Sequence, residues 1–206
     1  MEPNPTFAAL ASDTALARAT EVLQRNGFGV DTAENGAQAK EKALTLIPAG
    51  AEVMTMTSVT LEAIGLAKHL DESGTYNAIR PKLMKLDWKT QANEMRKLAA
   101  APDWVVGSVH AVTEDGHVLI ASNTGSQLAA YAYTGGKILW VVGTQKIVRN
   151  TEEGFRRLAE YTFPLEDARA QKAYGMHSGV NKVLLVNKEI APGRITILFV
   201  KERLGF

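Results

Sequence analysis

The sequence contains no cysteine. That excludes disulfides, a thiol nucleophile and any iron–sulfur cluster ligated by this chain alone. Long apolar runs are missing as well. The longest, such as Ile195 to Val200 with its single Thr196, are about six residues, where a bilayer-spanning helix needs roughly 20. The chain opens Met1-Glu2-Pro3 with no basic stretch leading into an apolar one. No signal peptide is therefore expected, and the default compartment is the cytoplasm. Charge of one sign is lacking too: 23 Lys+Arg stand against 22 Asp+Glu, a net charge of +1. This argues against nucleic-acid binding driven by a basic face. Familiar catalytic signatures are absent, among them Gly-x-Gly-x-x-Gly after a strand, a Walker-type Gly-Lys-Ser/Thr and a Gly-x-Ser-x-Gly elbow. His69, His110, His117 and His177 have no zinc-like spacing, so no metal site is expected.

What remains is a globular composition. With 206 residues, 46% of them hydrophobic and 22% charged, the chain fits one domain and neither a disordered nor a fibrous class. Phe7, Leu10, Leu16, Ala19, Val22 and Leu23 recur at helical spacing and predict an N-terminal helix over about residues 5–27, closed by Gly27, as an appendage to that domain. Phe28 to Val30 reads as a short strand. Asn35 then caps a helix carrying Ala39, Ala43, Leu44 and Ile47, which Pro48 and Gly50 end. Glu52 to Thr57 reads as a strand, followed by a helix through Leu61, Ile64 and Ala67. Repetition of a strand–helix order is the pattern of an α/β fold with a mainly parallel sheet.

Asp71 to Pro81 reads as a surface loop. From Tyr76 to Leu98 six Lys/Arg face two acids, either a solvated helix face or an anion-facing rim. Trp104 to Val106, His117 to Ala121 and Ile138 to Val142 are strand candidates, the last a continuous apolar run of the type buried on both faces. A helix over Thr151 to Tyr161, capped by Thr151, has Glu152 and Glu153 in its first turn, where the helix dipole favours them. Lys182 to Asn187 and Arg194 to Lys201, joined through Pro192-Gly193, read as an antiparallel hairpin.

In open α/β sheets ligands bind beyond the carboxyl ends of strands, which directs attention to three junctions. Thr57, Ser58 and Thr60 follow the second strand and offer hydroxyls to a phosphate or carboxylate, or else simply cap a helix. Gly107 to Gly116 holds Thr113, the titratable His110 and a candidate general base, Glu114. The plainer reading makes Glu114 a solvated turn residue and His110 a hydrogen-bonded core histidine. Thr124-Gly125, and later Gly143-Thr144 with Lys146, combine small residues with a cation that could meet an anion. Tyr131, Tyr133 and Trp140 read as core or interface residues.

The succession Gly107, His110 to Glu114, Gly116, Thr124-Gly125 and Gly143 to Val148 resembles the LUD domain family, the lactate-utilisation family of LutC- and YkgG-like proteins. Ile47-Pro48, Ser58 to Leu61 with Gly65, Pro164 to Glu166 with Arg169, and Glu202 to Phe206 match as well. The resemblance implies a Rossmann-like three-layer fold akin to the NagB/RpiA and CoA-transferase superfamily, with antiparallel C-terminal strands. It also implies a link to oxidation of L-lactate to pyruvate beside iron–sulfur partner subunits. Thr57 to Thr60 is similar to the phosphate loop of the isomerases without its glycine, and Glu114 is loosely similar to the carboxylate of the transferases.

Three functions follow. The first is an accessory subunit of lactate oxidation with an anion pocket at strand C-termini. The second is a stand-alone enzyme of CoA-transferase or sugar-phosphate isomerase type using Glu114, His110 and Lys146. The third is a non-catalytic ligand sensor. In each, the ligand is a small anionic molecule, no cofactor is assigned, and a homo-oligomer is expected.

Overall fold

The computed structural model describes residues 2–206. Six parallel strands form one sheet in the order β1 (Gly29–Ala33), β10 (Ile195–Val200), β7 (Lys137–Gly143), β4 (Trp104–Gly107), β2 (Glu52–Thr55) and β3 (Asn77–Ala78). A second, mixed sheet runs β8 (Ile147–Val148), β5 (Ala111–Thr113), β6 (Val118–Ser122) and β9 (Lys182–Val186). Within it β5 is parallel to β8 and antiparallel to β6, which is antiparallel to β9.

Strand alternation divides the core. On β7, Ile138, Trp140 and Val142 face a cluster shared with Val112, Val118 and Ile120 of the small sheet. Leu139 and Val141 point the other way, against α2 (Gly36–Leu46), α3 (Val59–Ala63) and α4 (Leu66–Glu72). The period-2 side-chain geometry of a strand puts apolar residues on both faces only when both faces are covered. The outer face of the small sheet, Leu119 and Ala121 with Ala111, packs on Phe7, Leu158 and Tyr161. Helices flank the parallel sheet on both faces, the expected Rossmann-like three-layer α/β arrangement, and the small mixed sheet adds to the layer on the Trp140 face.

Several expected elements differ in detail. The N-terminal helix is a 3₁₀ turn, Pro5–Ala8, followed after Ser12 by α1 (Asp13–Arg25). It is no loose appendage, since Leu16 and Leu23 enter the main core and Asn26 donates to the Gly116 carbonyl at 3.1 Å. The third helix breaks at Gly65, whose φ of 63° is left-handed, into α3 and α4. Inside the expected loop lie β3 and the start of α5 (Arg80–Leu83), which α6 (Ala92–Leu98) follows. Asn150, rather than Thr151, caps α7 (Thr151–Arg157), accepting from the Glu153 amide at 3.0 Å. The chain then continues through a π turn into α8 (Phe163–Tyr174).

The main correction concerns the end of the chain. Lys182 to Asn187 and Arg194 to Lys201 do not pair with each other. β9 lies antiparallel on β6, whereas β10 inserts parallel between β1 and β7. The Pro192-Gly193 turn carries the chain from one sheet to the other, and both faces of β10 are buried by that insertion. Among the described residues no helix is long and apolar enough to cross a membrane.

Candidate functional site

The carboxyl ends of β2, β4 and β7 open onto one cavity of about 960 Å³. Thr57 and Thr60 reach it after β2, Ser108 and His110 after β4, and Lys146 after β7. Parallel strands emerging side by side bring together residues far apart in sequence, which is why α/β folds place ligands there.

Lys146 stands on the 3₁₀ turn Thr144–Lys146 and is 1% exposed. Its Nζ donates to Thr60 Oγ1 at 3.1 Å, to Ser108 Oγ at 3.0 Å and to the Val109 carbonyl at 3.0 Å. The hydroxyl protons are already committed: Thr60 donates to the Leu204 carbonyl at 3.1 Å and Ser108 to the Val141 carbonyl at 2.7 Å. Three acceptors therefore surround the amine, a geometry fitted to an ammonium. No carboxylate pairs with it. Burial, with the Arg157 guanidinium nearby, pushes the Lys146 pKa well below the usual lysine value. The cradle suits a cation whose counter-charge is missing.

His110 lies beside it. Its Nδ1 accepts from the Ala121 amide at 3.0 Å, which fixes the ring proton on Nε2. Burial first, then Lys146 and Arg157, depress its pKa to about 3. A neutral imidazole at the cavity wall thus offers a donor, not a charge. Arg157 is wholly buried behind it, donating to the His110 and Gln145 carbonyls and to Thr162 Oγ1. Burial lowers its pKa to about 10, so it stays cationic at neutral pH.

The hydroxyls of the first junction hold protein groups. Thr57 Oγ1 accepts from Arg80 Nη2 at 2.6 Å, Thr60 seats Lys146, and Ser58 accepts from the Leu61 amide at 3.4 Å as a helix cap. Thr57 and Thr60 thereby position two cations on the cavity. Of the basic stretch, Arg80 and Arg96 line the cavity, while Lys82, Lys85 and Lys89 do not. On another part of the wall, partly exposed Glu166 is held bidentately by Arg169, with both contacts at 2.7 Å.

The remaining singled-out residues divide by position. Thr124 and Gly125 line the cavity. Gly107 sits behind it, and a Cβ there would lie 1.8 Å from Tyr131 Oη. Gly143 makes room for the chain at Glu202 to Leu204, which Gln145 also grips by donating to the Leu204 carbonyl at 2.9 Å. Thr144 is buried in the same turn.

Glu114, Thr113 and Gly116 are not brought to the cavity. They form the β5–β6 turn, where Thr113 Oγ1 accepts from the His117 amide at 2.8 Å and Glu114 meets Arg18 at 3.6 Å. Sequence reasoning overlooked Arg80, Arg157, Ser108 as a lysine seat and the methionines of the wall. Only the basic excess around Arg80 gave a signal. Among the described residues no three His, Asp or Glu side chains cluster as a metal site would need.

In overall shape the chain is similar to the crystal structure of a DUF162 family protein from Deinococcus radiodurans. The TM-score is 0.58 at 14% identity, over 93% of this chain and 99% of that one. This likeness speaks for the fold. No curated protein matches in sequence. The family model for the LUD domain matches residues 16–200, which include every element of both sheets. The chain belongs to the LUD domain family.

Proposed function

We propose that this protein is an accessory component of L-lactate oxidation to pyruvate, and that its cavity binds an anion at Lys146. The observation that carries the binding half is the buried Lys146 amine, ringed by three acceptors and lacking a carboxylate partner. An anion entering the cavity supplies that missing charge, with the His110 Nε2–H and Arg80 as further donors. Family membership supports the lactate context. A chain without cysteine cannot ligate an iron–sulfur cluster by itself, so in this reading the clusters belong to partner subunits. We further take the chain as a single cytoplasmic domain, residues 1–206, that self-associates.

The position of Glu114 weighs against the stand-alone transferase alternative. Glu166, the carboxylate that does line the cavity, is already engaged by Arg169.

A thermal-shift series with lactate, pyruvate, sugar phosphates, CoA and acyl-CoA tests the binding half. At 100 times its dissociation constant a ligand adds about 2.7 kcal/mol, or roughly 5–10 °C for a chain of this size. A shift lost in Lys146→Met supports the pocket, and no shift with any anion overturns it. Oxidation of L-lactate by the purified chain alone, with an artificial electron acceptor, would overturn the accessory role.

A further inference from the structure

Five of the six methionines in the sequence line this one cavity: Met54, Met56, Met84, Met95 and Met176. They come from four separate places in the fold: the end of β2, the turn after α5, helix α6 and the segment after α8. Their grading is directional. Met54 and Met56 are buried beside the strand ends, Met95 is half-buried, and Met84 and Met176 are 75% and 66% exposed. Tyr174, at 60% exposure, joins the last two at the opening. Unbranched thioether side chains adapt to ligands of varied shape, and large exposed apolar groups gathered around an opening mark a binding surface.

Lactate or pyruvate, with only a handful of heavy atoms, would occupy a small part of this space. About 960 Å³ is near the top of the roughly 300–1,000 Å³ range of cavities that enclose drug-sized ligands. Lys146, His110 and Ser108 stand together at the strand ends, and the methionines form an apolar strip in a lining that elsewhere includes polar residues such as Asn123, Gln127 and Arg169.

We propose that the cavity takes an amphipathic anion: an acyl carboxylate whose headgroup meets Lys146 and His110 and whose chain runs along the methionines to the opening. This rests on the anion-binding reading above and narrows it to a ligand class. The ligand is then distinct from the lactate being oxidised, as suits a subunit that senses or stores rather than turns over substrate.

The test is calorimetric titration of the full chain with butyrate, octanoate and decanoate below their aggregation concentrations, with lactate and decanol as controls. Each buried methylene is expected to tighten binding about fourfold. Octanoate should therefore exceed butyrate by about two orders of magnitude. Lys146→Met should abolish carboxylate binding but spare decanol. Met84→Gln with Met176→Gln, neutral changes at exposed positions, should weaken decanoate more than butyrate.

Binding of lactate and butyrate with no gain on lengthening the chain would overturn this proposal and leave the anion pocket standing. Failure of every anion, short and long, would overturn both. Loss of decanoate binding in Arg96→Gln but not in Lys146→Met would place the headgroup at the rim and overturn the orientation proposed.

Discussion

Replacing Lys146 by Met leaves an unbranched side chain one heavy atom shorter and removes its titration. In the folded protein the amine has a lowered pKa, because burial and Arg157 both disfavour the charged form. In the unfolded chain it titrates near 10.5. Between those two values the unfolded state binds a proton that the folded state has released, so wild-type stability rises with pH. The slope of one proton is about 1.4 kcal/mol per pH unit. For a chain of this size that corresponds to about 3–5 °C of Tm per unit. The variant lacks this slope, and His110, which Lys146 also holds low, takes up a proton only towards acid pH and so does not tilt the alkaline range. The Tm of Lys146→Met minus that of the wild type, measured by scanning fluorimetry up to pH 10, should fall with rising pH once the folded amine has lost its proton, by up to about that amount with each unit. The hydrogen bonds lost by the variant, two donations once the amine is neutral, displace that part of the curve without tilting it. The same proton appears in ligand binding: anion affinity should fall about tenfold per unit wherever the free folded protein holds the neutral amine. A Tm difference that stays flat across the range would refute the reasoning, since it would mean that the folded amine keeps its proton as readily as a free lysine.

Three further outcomes follow from the same geometry. His110, neutral in the fold with a pKa of about 3, accepts a proton near 6.5 when unfolded. Stability should therefore drop by about 1.4 kcal/mol per pH unit from about 6.5 towards about 3, and His110→Gln should flatten that fall in acid unfolding curves. Thr60→Val removes both a seat for Lys146 and the donor to the Leu204 carbonyl. It should cost about 1–3 kcal/mol in urea titrations and weaken anion binding, with Thr60→Ser restoring both. Glu114→Gln breaks an ion pair whose Arg18 partner is 68% exposed. Stability should change by less than about 0.5 kcal/mol, and ligand affinity not at all.

Elements announced by local pattern were readable in the sequence. The apolar run on β7 marked a strand covered on both faces, and Asn35 is the cap of α2. The partner of β10 was not readable, because a short turn between two strands suits a hairpin equally well when nothing local states which sheet each one joins. The two-residue β3 carries too little pattern to stand out from a loop.

At the site, the strand-end rule led to Lys146 and His110 but not to the distinction between His110 and Glu114. These residues flank a three-residue strand, β5. At about 3.3 Å per residue, four steps of extended chain separate them by roughly 13 Å. Proximity in sequence thus meant opposite ends in space. The methionine wall left no trace at all, since its members come from elements that meet only after folding.

The strand order has a consequence for how the protein is made. β1 joins the parallel sheet through β10 alone, with Gly29 opposite Thr196. A ribosome delivers the first strand long before the strand that must receive it, and until then β7 also has an unfilled edge facing β1. The edge formed by β1 and β10, two of the six strands, therefore waits on the last of them to be synthesised. Such late, long-range closure slows folding and leaves apolar strands open to wrong partners. The nascent chain is thus most exposed to aggregation, and most dependent on chaperones, in the interval before residues 195–200 clear the exit tunnel.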